Sequence, residues 1–263
     1  MLRCASGFAT FCFRDAPAKR HICSGRYTKA RREIRMVEKM QYKEIIRKLE
    51  SMSDQKIVED MVRFGINPKN AYGISMPNLR KIAREMGKNH LLAQELWSSG
   101  VHEARILASV IDEPKMVTVK QMENWVKDFD SWDVCDQCCG DLCDKTEFAY
   151  QKAMEWSKRD EEFVKRAGFV LMAKLALHDK KAEDKAFLTF LPIIKRESID
   201  DRNFVKKAVN WALRQIGKRN VDLNIAAVET AKEIQKMDSR SAKWIAADAL
   251  RELTSEAVQQ RLR

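Results

Sequence analysis

The sequence predicts an all-α fold, an α-solenoid of about five or six antiparallel helical pairs. Three observations carry this expectation. Phe163-Val164-Lys165-Arg166-Ala167 is nearly repeated as Phe204-Val205-Lys206-Lys207-Ala208, 41 residues later. From Tyr42 onward apolar residues recur with helical period, and no segment alternates apolar and polar over a strand's length. Only 9 Gly and 5 Pro punctuate the 263 residues, so loops are short and consecutive helices run antiparallel. A period near forty residues is that of HEAT-like and armadillo helical pairs, which stack into a curved superhelix with a concave binding face.

Residues 1–40 are read apart from this body, as a disordered basic N-terminal extension. They hold 10 Lys/Arg against 3 Asp/Glu, so 7 of the 11 net positive charges lie there. An Arg-rich, acid-poor start fits an organellar transit peptide. An upstream start codon fits equally, since Met36 and Met40 both precede the first regular pattern. Residues 41–263 then carry 39 Lys/Arg against 35 Asp/Glu, a net charge of only +4. That small excess argues against bulk coating of a polyanion and leaves room for a local basic face.

The longest apolar run, Ala167 to Leu177, is broken by Lys174 and falls well short of the ~18 residues that cross a membrane. The expectation is an intracellular protein of the cytoplasm, nucleoid or nucleus, with import into an organelle if the extension is a transit peptide. Reducing conditions follow from the 7 cysteines, whose placement is no disulfide framework.

Along the body, Ser75 before Pro77 marks one helix start, and Thr118 with Gln121 reads as a capping box. Asp112-Glu113-Pro114 and Asp200-Asp201 mark turns. The densest segment is Asp130-Ser131-Trp132-Asp133-Val134-Cys135-Asp136-Gln137-Cys138-Cys139-Gly140. Here Cys135, Cys138, Cys139 and Leu142 fall on one helical stripe, as small core side chains do. Four thiols with Cys143 also invite zinc, but Cys138 and Cys139 are adjacent and zinc knuckles need separated pairs. Trp132, Asp136 and Gly140 line a neighbouring face, Gly140 leaving space beside the carboxylate. Asp130 or Ser131 suits the N-cap, and Asp133 suits the positive helix end. Neither role accounts for Asp136, a full turn further in.

In the first repeat copy Arg166 shares its face with Val170, Ala173 and Leu177. Its guanidinium is either free to grip a phosphate or engaged by a nearby carboxylate. In the second copy, Val205, Val209, Ala212, Leu213 and Ile216 form one apolar stripe, and Lys207, Trp211, Arg214 and Lys218 lie opposite. An indole among three cations is what a backbone-tracking, stacking surface needs, and also what a helix packed on two sides shows.

At these residues the chain resembles the DNA alkylation repair family, the AlkD-like DNA glycosylases, over about residues 45–255. The family's Trp-x-x-x-Asp falls on Trp132 and Asp136, its helix-borne Arg on Arg166, and its later Trp on Trp211, followed by Leu213 and Arg214. A family Tyr is replaced by Phe64, which keeps the ring and loses the hydroxyl.

The resemblance implies hydrolysis of the N-glycosidic bond of cationic N3- or N7-alkylpurines in duplex DNA, by a monomer without cofactor or metal. It assigns catalysis to Asp136, Trp132 and Trp211, and DNA contacts to Arg166, Phe64, Lys207, Arg214 and Lys218. Some branches of the family lack this activity. The alternative is a non-catalytic HEAT-like repeat protein that binds nucleic acid or a protein partner.

Overall fold

A computed structural model describes residues 41–262, and every described element is helical. The expectations for residues 1–40 fall outside the described residues. The helices are α1 (41–51), α2 (Gln55–Arg63), α3 (Met76–Met86), α4 (His90–Ser98), α5 (His102–Ile111), α6 (Val119–Lys127), α7 (Trp132–Asp141), α8 (Ala149–Trp156) and α9 (Glu162–His178). They continue as α10 (Asp184–Leu188), α11 (Leu191–Glu197), α12 (Asn203–Gly217), α13 (Val221–Gln235), α14 (Arg240–Leu253) and α15 (Glu256–Leu262). None is long and apolar enough to cross a membrane.

The even spacing of apolar positions produces two layers. In the first, α3, α5, α7, α9, α12 and α14 pack in that order, each against the next. The second layer covers it, with α4 against α5, α8 against α9, α11 against α12 and α13 against α14. This is the expected HEAT-like arrangement, with successive helical pairs from α4/α5 to α13/α14.

The repeated segments open α9 and α12, and these two helices share the most extensive helix–helix contact. Phe163 and Phe204 meet across that contact with ring centroids 5.5 Å apart. The stripe from Val205 to Ile216 is buried throughout, as its spacing requires. Burying five such side chains contributes about 1.5–3 kcal/mol for each of the larger ones.

Side-chain caps mark several helix starts, Thr118 among them as its spacing predicts. Asp54, Asn89, Thr118, Asn220 and Ser239 each cap a helix by accepting a backbone N–H. Ser75 is an N-cap ahead of Pro77, without a side-chain bond. The Thr118 box is only half formed. Thr118 Oγ1 accepts from Gln121 N (3.1 Å), but the Gln121 amide donates to the buried Asp112 carboxylate (2.6 Å) instead of reaching back. A buried acid outcompetes a local turn for that donor.

Cys135, Cys138, Cys139 and Cys143 are buried in the core, where Cys138 Sγ and Cys143 Sγ lie 3.8 Å apart. Cys139 Sγ points at the Ala167 carbonyl (3.8 Å), so this stripe joins α7 to α9.

Candidate functional site

The first turn of α7 is held from the side rather than by its cap. Ser131 Oγ donates to Asp133 Oδ1 (2.7 Å) and makes no bond to the helix end. The other Asp133 oxygen lies 2.8 Å from Nε2 of the buried His102 on α5. Burial opposes the charge on His102, but the Asp133 carboxylate wins and raises the imidazole above its ordinary value. The carboxyl of Asp133 is lowered in turn, its burial outweighed by His102, Ser131 and the Val134 amide acting together. Asp130, the other capping candidate, accepts from Asn67 Nδ2 (2.9 Å).

With α7 anchored, its next residues face α9. Trp132 Nε1 donates to the Phe64 carbonyl (3.0 Å), tying the helix to the end of α2. Phe64 is the C-cap of α2 and is 69 % exposed. Gly65 follows with φ +71, and a Cβ there would come within 2.9 Å of the Phe204 ring. Only glycine suits that backbone, and it brings the Phe64 turn close to the start of α12.

Asp136, one turn beyond Trp132, is gripped in a fork. Arg166 Nε donates to Oδ1 (2.9 Å) and Nη2 to Oδ2 (2.8 Å), while Nη1 donates to the Phe204 carbonyl (2.7 Å). The side chains of Arg166 and Asp136 are only 8 % and 15 % exposed. This corrects the expectation of a free Arg166 guanidinium; of the two readings, engagement by a carboxylate holds. Burial pushes the Asp136 carboxyl above its ordinary value, against the pull of Arg166 and then Lys174. The fork geometry keeps Arg166 charged.

The space beside Gly140 is not open either. Lys174, two turns along α9 from Arg166, lays its stem across Gly140, where a Cβ would stand 2.6 Å from Lys174 Cε. Its Nζ then sits 5.3 Å from the centroid of the Trp211 ring on α12. Trp211 is half-buried against the core, so it both packs and presents a face. With the Gln215 amide turned oxygen-inward, Trp211 Nε1 donates to it at 2.9 Å. The rung from Gly140 through Lys174 to Trp211 thus lies beside the rung from Asp136 through Arg166 to Phe204.

Three cations were expected opposite the α12 stripe, and they differ. Lys207 is exposed and makes no ion pair among the described residues. Arg214 is paired with Glu252 and Asp248, and Lys218 Nζ lies 2.6 Å from Glu252 Oε1. Two acids from α14 therefore neutralise the far part of the face. Lys174 and the His102–Asp133 pair escaped the sequence reading: Lys174 stood out only as a break in an apolar run.

A sequence model of DNA alkylation repair enzymes matches residues 45–253. The chain belongs to the DNA alkylation repair enzyme family. Two similar proteins, both uncharacterized, come from Listeria innocua and Listeria monocytogenes. Each is 25% identical over 169 residues, 63% of this chain and 73% of theirs. A solved structure matches with a TM-score of 0.67 at 20% identity, over 84% of this chain and 95% of that one. It represents a family described as related to the HEAT-like repeat DNA glycosylases, with affinity for branched DNA structures. At that identity the likeness is one of fold. In this member of the DNA alkylation repair family, the four residues that carry the resemblance fall on three adjacent helices: Trp132 and Asp136 on α7, Arg166 on α9, Trp211 on α12.

Proposed function

We propose that this DNA alkylation repair family member is a monofunctional DNA N-glycosylase. It hydrolyses the N-glycosidic bond of cationic N3- or N7-alkylpurines in duplex DNA and leaves an abasic site. The observation that carries this reading is the Asp136 carboxylate, largely buried yet fixed by the Arg166 fork one turn from Trp132.

The substrate's chemistry explains why so little machinery suffices. An alkylated purine already bears positive charge and departs without a general acid. The C1′–N bond breaks, its electron pair neutralises the purine, and the sugar becomes oxocarbenium-like. A fixed carboxylate stabilises that cation and takes the proton from the water that adds at C1′. Arg166 occupies one position on each Asp136 oxygen, and a carboxylate offers about four, so acceptors remain for the water. Trp132 and Trp211 supply π-faces to the developing charge. Phe64 and Lys207 offer a stacking ring and a phosphate contact at the rim; Arg214 and Lys218 reach DNA only by leaving Glu252.

A second reading, DNA binding without base release, is favoured by one observation. Arg166 cancels the charge of Asp136, and Lys174 adds another positive charge beside it. A duplex carrying a single N7-methylguanine separates the two. Free base released faster than in buffer alone supports the glycosylase. Duplex binding with no release supports the second reading and removes the first.

A further inference from the structure

We infer that Lys174 is the residue that grips a DNA backbone phosphate at this site, in place of Arg166. The inference rests on the reading of this face as a DNA surface, but not on base release.

A phosphate hold needs a cation with donors to spare and a path to solvent. Arg166 fails on access. Three of its five N–H groups already donate, two to Asp136 and one to the Phe204 carbonyl, and its side chain is 8 % exposed, so the remaining two do not face solvent freely. Turning it toward a phosphate would leave Asp136 buried and unpaired, which is strongly unfavourable. Arg214 and Lys218 are held by Glu252, so an incoming phosphate would have to displace a carboxylate.

Lys174 meets both conditions. It is half-buried, less enclosed than Arg166, and makes no ion pair or hydrogen bond among the described residues. Its stem is fixed by the groove over Gly140, and its ammonium stands over the Trp211 ring. That contact pre-positions the charge and restricts a flexible side chain before any ligand arrives, which lowers the entropic cost of binding. The charges also sum correctly. Asp136 and Arg166 cancel, so Lys174 leaves this part of the surface net positive and suited to a phosphodiester. The phosphate so held would lie beside Trp211, within one rung of Asp136.

The test uses Lys174→Met, which keeps the stem over Gly140 and removes the charge, and Lys174→Arg, which restores it. Binding to an undamaged fluorescent duplex is measured by anisotropy over a range of salt, with melting curves run alongside. Lys174→Met is expected to weaken binding at low salt about tenfold and to reduce the slope of log K against log salt by about 0.9, one phosphate contact. Lys174→Arg should recover most of both. Wild-type affinity and slope in Lys174→Met would overturn the inference while leaving the DNA reading intact. A weaker affinity with an unchanged slope would also overturn it, as a packing effect. Absence of any duplex binding by wild type would remove the DNA reading itself.

Discussion

Replacing Arg166 by methionine is the sharpest perturbation of this site. The substitution keeps an unbranched side chain of similar reach and deletes the guanidinium. It leaves Asp136, 15 % exposed at its side chain, without either of its donors at 2.9 and 2.8 Å. Removing one partner of a buried pair costs about 3–5 kcal/mol. For a domain of this size each kcal/mol moves Tm by about 2–4 °C, so the melt should fall by about 6–20 °C at neutral pH. The loss should shrink in acid. Without Arg166 the Asp136 carboxyl rises further above its ordinary value, and stability is then greatest where the group is protonated and falls as pH rises through the folded value. Adding Asp136→Asn to Arg166→Met should recover more than half of the lost Tm. Circular dichroism melts of the three proteins at two pH values make the comparison. A single variant within about 2 °C of wild type, or a double variant less stable than the single, would show that the Arg166–Asp136 pair does not stabilise the fold.

Two further outcomes are expected. Gly140→Ala adds a Cβ 2.6 Å from Lys174 Cε, so the lysine must swing away; helix propensity meanwhile gains about 0.5–1 kcal/mol. Duplex affinity should therefore fall while Tm holds or rises, and a loss of both in parallel would contradict the role given to Lys174. His102 has a raised imidazole pKa, so its share of stability is present below the ordinary imidazole range and is lost as pH rises through the raised value. Wild-type Tm should decline across that window and His102→Gln should flatten the decline; equal pH profiles would exclude the His102–Asp133 pair as the cause.

The fold was legible because its signal is local and repeated. The stripe from Val205 to Ile216 and the cysteine stripe at Cys135, Cys138 and Cys139 are each set within one helix, and each is buried as its period requires. The α7 face was legible for the same reason: Trp132, Asp136 and Gly140 share it by spacing alone. Pairings between helices were not. Arg166 finds Asp136 30 residues back, and Arg214 finds Glu252 38 residues ahead, in a register set by how neighbouring helices stack. Spacing along one helix carries no information on that register. Phe64 shows the same limit, since its closeness to Trp132 depends on a glycine turn and a carbonyl bond from another helix. Trp211 kept two readings in the sequence, and as a half-buried side chain it satisfies both.

Asp136 is proposed to drive release of a cationic base. The most direct test is the single-turnover rate of N7-methylguanine release from duplex DNA, wild type against Asp136→Asn, with protein in excess. Wild type should release the base well above the spontaneous rate. Asp136→Asn, which keeps the shape and removes the charge, should lose about 10²–10³-fold, the scale of one preorganised electrostatic group. Release no faster than in buffer would rule out the glycosylase, and an Asp136→Asn rate equal to wild type would rule out Asp136 as its catalytic group.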